Sequence, residues 1–218
     1  MSRPMRMPRV APDVDKRQLI LDAATRVFAE RGFFAAQVAD IARRAGIAAG
    51  TVYLYFRSKD EILISLFERT MQDAIRDGQN ALASIADPAT RLRHIARLHL
   101  DRLGRDRDLA VVFQVELRQS TKFMARLSAT RLRTYLGIIR DTIAQGQAEG
   151  AFRQGPPPTL TAKMFFGALD EMATNWILSD RKYELVADAD AVVDVFLHGL
   201  AGPPPGTPAP IPSRGHSS

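Results

Sequence analysis

Six consecutive residues, Gly50-Thr51-Val52-Tyr53-Leu54-Tyr55, with a lysine soon after at Lys59, are the side chains of this 218-residue chain best suited to meeting a nucleic acid. Laid on a helix at about 100° per residue, with Val52 pointing inward, the stretch places Phe56 beside Val52 on the inner side. Gly50 and Leu54 then point outward, and Thr51, Tyr53 and Tyr55 lie on the flanks. Each residue type has a use there. A bare glycine lets another backbone approach closely. Tyrosine hydroxyls donate to phosphate oxygens. An outward leucine can meet a thymine methyl in the major groove. Lys59 stands at the start of the next helix, where its charge and the local N–H groups both favour phosphate. No Arg, Asn or Gln stands on this outer face to read guanine or adenine with two hydrogen bonds. Base reading is therefore expected to lean on apolar contact, on Thr51, on Gln37 or on DNA shape. The candidate DNA-binding set is Gln37, Ala49, Gly50, Thr51, Tyr53, Leu54, Tyr55 and Lys59. The bland reading of the same stretch has two half-buried tyrosines and a stray surface leucine.

These side chains need a scaffold, and the flanking sequence supplies one. Val38, Ile41, Ala42 and Ala45 recur at i, i+3, i+4 and i+7, one face of a helix, and Gly46 ends it. A short helix, a glycine turn and a second short helix make a helix-turn-helix, which places its second helix in the DNA major groove. Upstream, Asp15 and Gln18 have capping-box spacing before a stripe of Leu19, Ile20, Ala23, Ala24, Val27 and Phe28 that ends at Gly32. Phe33 or Phe34 is expected to pack under the motif. Downstream, Ser58-Lys59-Asp60-Glu61 is a second capping box. It opens a long helix through Ile62, Leu63, Leu66, Phe67, Met71, Ala74 and Ile75 to about Gly78 or a little past it, the expected mechanical link to the rest of the chain.

The remainder reads as all-α. Asp87-Pro88 opens one helix, which ends at Gly104, and Asp108 starts another. A long helical stretch spans about Phe123–Glu149, ended by Gly150, and Gly155-Pro156-Pro157-Pro158 is a stiff break. Two last helices, at 160–179 and 188–200, are apolar on more faces than a surface helix needs. They are expected to pair with a second copy, forming a homodimer. The expected organisation is a disordered arm at 1–14, a DNA-binding domain at 15–60, a ligand-binding and dimerisation domain at 61–201, and a disordered tail at 202–218.

Composition fits that division. Residues 1–60 carry eleven Lys and Arg against six Asp and Glu, while residues 61–218 carry nineteen against eighteen. A basic quarter on a near-neutral remainder suggests one part that meets phosphate and one that does not. Three of those arginines, Arg3, Arg6 and Arg9, sit in the N-terminal arm, so charge alone decides little. There are no cysteines, which excludes disulfides and thiolate chemistry and fits a reducing cytoplasm. No apolar run of about 20 residues stands ready to span a membrane.

Several motifs together resemble the N-terminal domain of TetR-family transcriptional regulators. They are Phe28-Ala29-Glu30-Arg31-Gly32-Phe33, Ile41-Ala42, Ala45-Gly46-Ile47, Gly50-Thr51-Val52-Tyr53, Tyr55-Phe56 and Ser58-Lys59-Asp60-Glu61. The resemblance covers about residues 16–66 and implies a nine-helix homodimer that binds a DNA operator, with a larger C-terminal domain holding a small molecule that usually releases the DNA. It further implies DNA contacts at Thr51, Tyr53, Tyr55 and Lys59, with Gly50 at the backbone. Where the family usually has two hydroxyl residues, this chain has Ala36-Gln37, and the amide of Gln37 is the available substitute.

In the C-terminal part, Phe113-Gln114-Val115-Glu116-Leu117-Arg118-Gln119-Ser120, Phe123-Met124, Phe166-Gly167-Ala168-Leu169-Asp170-Glu171-Met172 and Val192–Leu200 are similar to the FadR-type branch of that family. The likeness implies sensing of long-chain acyl-CoA and repression of fatty-acid degradation genes. An acyl chain needs an apolar tunnel, and the candidate ligand set is His99, Phe113, Leu117, Met124, Tyr135, Phe165, Leu169, Met172 and Trp176. The CoA phosphates need cations, available at Arg91, Arg93, Arg97, Arg102, Arg105 and Arg107. The competing expectations are plain core for the apolar residues, and a solvated face interleaved with aspartates for the arginines. Polar residues beside apolar stripes, among them Gln114, Glu116, Arg118 and Asp170, are expected to pair between helices.

The four histidines lack metal-ligand spacing, and no phosphate-binding glycine loop or G-x-S-x-G is present. Neither an enzyme nor a metal or other cofactor is expected. Besides a repressor released by acyl-CoA, the sequence leaves open a regulator of an efflux pump that senses hydrophobic drugs, and a nonspecific DNA-coating protein.

Overall fold

The computed structural model describes residues 14–119 and 131–200. Among them are nine α-helices and no strand, and none of the helices is long and apolar enough to cross a membrane. The expected C-terminal tail, Met124 and all of the expected N-terminal arm except Val14 lie outside the described residues.

The first three helices form a compact unit: α1 (Val14–Arg31), α2 (Val38–Ala45) and α3 (Ala49–Tyr55). On α2 the predicted face is buried at Ile41, Ala42 and Ala45, with Val38 half-buried. Gly46 ends the helix at φ 68°, where its N–H bonds back to the carbonyls of Ala42 and Arg43. Asp15 falls inside α1 rather than capping it. Gln18 donates to Asp22 one turn on, so the expected box gives way to a pair on the helix surface.

α4 (Lys59–Leu82) starts at a true cap, with Ser58 accepting from the Glu61 N–H at 3.1 Å. Glu61 in turn accepts from the Arg57 N–H at 2.7 Å. The helix runs through Gly78, which is buried within it, and ends a turn past it at Leu82.

Beyond α4, five helices close a second core: α5 (Pro88–Gly104), α6 (Arg107–Gln114), α7 (Arg131–Ala148), α8 (Pro158–Leu178) and α9 (Ala189–Leu200). Short 3-10 turns stand at Glu116–Gln119 and Leu185–Asp188. α6 begins one residue before Asp108, because Asp106 takes the cap and accepts from the Leu109 N–H. α6 packs on both α1 and α8, so it bridges the two parts of the molecule.

Candidate functional site

The inner and outer sides of α3 are sharply divided. Val52 and Phe56 are fully buried, and the Arg17 guanidinium lies 4.9 Å over the Phe56 ring. Opposite them, Leu54 is 82% exposed and Tyr53 56% exposed, with Ala49 and Gly50 also open to solvent. A Cβ added at Gly50 would meet no atom within 4 Å, so its smallness serves nothing inside the chain. Thr51 is half-buried, and Tyr55 is half-buried against the core, which leaves Tyr53 as the more available hydroxyl. Gln37 is exposed at the head of α2, where Asp40 accepts from its backbone N–H at 3.2 Å.

Lys59 stands differently from its sequence expectation. Its ammonium donates to the carbonyls of Phe34 at 3.0 Å and Ala36 at 2.8 Å, and lies 4.6 Å over the Phe33 ring. It therefore straps the α1–α2 corner to the start of α4. An ammonium has three donors, so one is left for a phosphate. Lys59→Ala would therefore loosen this corner as well as remove a cation from the DNA-facing side.

The second candidate site is a cavity of about 130 Å³ enclosed by α4, α5, α6, α7 and α8. Phe67, Met71, Ala74 and Gly78 of α4 face it, as do Ile95, His99 and Arg102 of α5 and Phe113 and Gln114 of α6. Leu117, Tyr135, Ile139, Phe166 and Asp170 complete much of the wall. The Phe67 and Phe113 rings stack at 5.2 Å. Of the predicted ligand set, His99, Phe113, Leu117 and Tyr135 are on this wall.

Phe165, Leu169, Met172 and Trp176 are not. Phe165 and Leu169 are fully buried on another face of α8, and Phe165 meets Phe196 of α9 edge-on. Phe166, one residue and about 100° further round, faces the cavity instead. Met172 packs on the core. Trp176 donates its indole N–H to the Tyr183 carbonyl, and the Arg107 guanidinium lies 5.4 Å over its ring.

The charged groups on the wall are paired. Asp170 accepts from Gln114 at 2.9 Å and also binds Arg118, while Arg102 bonds Asp77 at 2.5 Å. His99 Nδ1 and the Tyr135 hydroxyl share a hydrogen bond of 3.1 Å. The His99 Nε2 is buried and makes no hydrogen bond among the described residues. Burial holds the imidazole down to about 4, reinforced by Arg102 and opposed by Asp170. Burial also pushes the Tyr135 phenol well above its ordinary value. Both rings are thus neutral at pH 7.

The arginines offered for CoA phosphates all have partners. Arg93 and Arg97 bind Asp194 and Asp190 of α9, and Arg105 binds Asp101. Arg91 donates to the carbonyls of Leu82 and Ile85, and Arg107 to those of Trp176 and Ile177. The paired face therefore describes them better than a vacant cationic cluster.

The α4 wall went unrecognised in the sequence, though a signal was present. Phe67, Met71 and Ala74 continue the apolar stripe of α4 well past the end of the three-helix unit, so they had to face something else.

A helix-turn-helix with an unpartnered outer face, joined by one continuous helix to a walled cavity, is the layout of a ligand-controlled regulator. The family model for bacterial regulatory proteins of the tetR family matches residues 20–66, and that for the C-terminal region of YsiA-like proteins matches residues 67–199. The chain is 37% identical over 185 residues to the fatty acid metabolism regulator protein of Bacillus subtilis (strain 168), covering 85% of this chain and 95% of that one. It belongs to the TetR family. Among solved structures similar to this regulator is FadR from Bacillus subtilis in complex with stearoyl-CoA, at 36% identity and TM-score 0.80, covering 84% of this chain and 98% of that one. The fatty acid degradation regulator FadR from Bacillus halodurans aligns at 38% identity and TM-score 0.79, with the same coverage. These relatives are transcriptional regulators, and the family binds DNA operators rather than turning over a substrate.

Proposed function

We propose that this TetR-family regulator is a repressor that binds a palindromic operator as a homodimer and is released by long-chain acyl-CoA, controlling fatty-acid degradation genes. The observation that carries the reading is the double use of α4. Its first residue straps the helix-turn-helix corner, and Phe67, Met71, Ala74 and Gly78 of the same helix wall the cavity. At about 1.5 Å per residue, the cavity residues from Phe67 to Gly78 lie roughly 12 to 29 Å beyond Lys59 along one continuous helix.

The cavity chemistry supports an apolar ligand body. Its wall is largely aromatic and aliphatic, and its arginines and aspartates neutralise each other. A void of about 130 Å³ is close to what holds one aromatic ring, and smaller than the few hundred Å³ of most ligand sites. A long acyl chain entering there must part α4 from α6 and α7. Ligand binding and helix displacement are then one event, and the ligand favours whichever state has the wider cavity. The similarity to a FadR structure holding stearoyl-CoA supports the acyl-CoA class in particular.

Dimerisation rests on α8 and α9. Leu160, Met164 and Leu178 are 53%, 57% and 73% exposed, and with Gly167 and Glu171 they make one stripe along α8. Val195 adds a 73% exposed apolar side chain on α9. A stripe of this kind suits an isologous pairing with a second copy.

The test is operator binding by fluorescence anisotropy, with the operator taken from the protein's own upstream region. Binding to one palindromic site, weakened by salt and dissolved by micromolar stearoyl-CoA, is the expected result. If stearoyl-CoA leaves the complex intact while a hydrophobic efflux substrate dissolves it, the acyl-CoA reading fails in favour of a drug sensor. Binding that ignores sequence would overturn the repressor altogether.

A further inference from the structure

The two parts of the molecule meet at a buried carboxylate. Glu116, in the turn after α6, is 6% exposed. Its Oε2 accepts from the backbone N–H of Phe33 at 2.6 Å, across 83 residues of sequence. Phe33 lies in the corner between α1 and α2, directly after Gly32, whose φ of 75° makes the turn. The Glu116 carboxylate oxygens lie 3.6 and 3.7 Å from where a Gly32 Cβ would stand. This is the corner that Lys59 straps from the other side through the carbonyls of Phe34 and Ala36. The residues around Glu116 belong to the cavity. Phe113, Gln114, Leu117 and Arg118 all line it, and Gln114 and Arg118 are tied to Asp170 of α8.

We propose that Glu116 is a positioning residue that couples occupancy of the cavity to the placement of the recognition helix. The inference rests on the reading that a ligand fills this cavity. A side chain pushing on Phe113 or Leu117 moves the backbone that carries Glu116. A carboxylate in so dry a place keeps a 2.6 Å hydrogen bond, because breaking it there costs the desolvation of donor and acceptor with no water to replace either. The corner therefore follows Glu116, and α2 and α3 follow the corner. Meanwhile Lys59 ties the same corner to α4, so a ligand that parts α4 from α6 pulls the two straps apart. The coupling then comes from one element with two anchors, each moved by a different cavity wall.

The test uses the full chain and its Glu116→Leu and Glu116→Gln variants. Three quantities are read: stearoyl-CoA affinity by calorimetry, operator affinity with and without stearoyl-CoA, and thermal stability. In the unchanged chain the ratio of the two operator affinities is expected at about 5- to 150-fold. In Glu116→Leu it falls toward one while stearoyl-CoA still binds. In Glu116→Gln, which keeps an acceptor oxygen for Phe33, most of the ratio returns. Release of operator by Glu116→Leu at the full ratio would overturn the proposal. If the unchanged chain binds no stearoyl-CoA, the acyl-CoA reading falls separately, and Gly78→Leu replaces the ligand. A Cβ at Gly78, on the cavity wall, meets no atom within 4 Å, so the leucine enters the void. Gly78→Leu is expected to weaken operator binding, and to do so much less in a Glu116→Leu background. An equal loss in both backgrounds sinks the proposal.

Discussion

His99 gives this regulator an acid-sensitive core. Its imidazole titrates at about 4 in the folded chain, against 6.5 in a free chain, chiefly because burial disfavours the charged ring. Arg102 works in the same direction, and Asp170 against it. Between those two values the unfolded chain binds a proton that the folded chain refuses, so stability falls as pH falls. Above pH 6.5 both states are neutral and the group contributes no slope. Each pH unit of the window is worth about 1.4 kcal/mol, and the whole window about 3 kcal/mol, a large share of a domain's stability. The perturbation is His99→Leu, which removes the titrating ring and keeps an apolar body beside Phe166. It leaves the Tyr135 hydroxyl without its 3.1 Å partner, a cost that does not vary with pH in this range. Urea unfolding at pH 7.5, 6, 5 and 4.5, values chosen to bracket the window about 4 to 6.5, measures both proteins. Asp87 and Asp190, each held low by hydrogen bonds to Thr90 and Arg97 respectively, add acid lability to both alike and cancel in the difference. The variant is expected to start less stable at pH 7.5 and to lose less on acidification, the gap narrowing by roughly tenfold in unfolding constant per pH unit below 6.5. Parallel curves would refute the claim that His99 is held neutral by its surroundings.

Three further outcomes are expected. Tyr53→Phe removes an exposed hydroxyl, so operator affinity drops several-fold in anisotropy while the melting temperature stays unchanged. Lys59→Ala releases the Phe34 and Ala36 carbonyls, so it costs about 1 to 3 kcal/mol in urea unfolding as well as operator affinity; a loss of operator affinity alone would argue that the strap is idle. Gly146→Ala places a Cβ 2.2 Å from the Phe152 ring, so it destabilises α7 by about 1 to 3 kcal/mol, and trimming the ring with Phe152→Leu in the same chain recovers part of that.

What the sequence revealed and what it hid divide along the range of the forces involved. The α2 face, the Gly46 stop and the Ser58 cap were legible because each is settled within one or two helical turns. The Asp106-Arg107-Asp108 run shows the limit of even local signals, since either aspartate can cap and only the structure shows that Asp106 does. The outward set of α3 followed from one inward residue, Val52, and the helical period. The cavity did not yield to the same reasoning. α8 is apolar on adjacent faces, so Phe165 and Phe166 are equally good candidates until their neighbours are known. Contact with α9 claims Phe165, and His99 and Tyr135 leave Phe166 at the cavity.

Lys59 and Glu116 lie furthest from what local sequence can show. Both are charged residues whose nearest neighbours in sequence explain nothing about them. Lys59 looked like a phosphate contact because it starts a helix, and Glu116 looked like half of an ordinary salt bridge. Their partners lie 23 and 25 residues away for the lysine and 83 for the glutamate, all in the corner that follows Gly32. The hydrogen bonds that span these distances all go to main chain, although the Lys59 ammonium also lies over the Phe33 ring. Both residues bind backbone, which presents the same N–H and C=O whatever the residue, so no pattern of residue types could have pointed to them. The recognition face is written in local sequence and the cavity wall in helical period. The connection between them includes two charged side chains closing on one stretch of main chain.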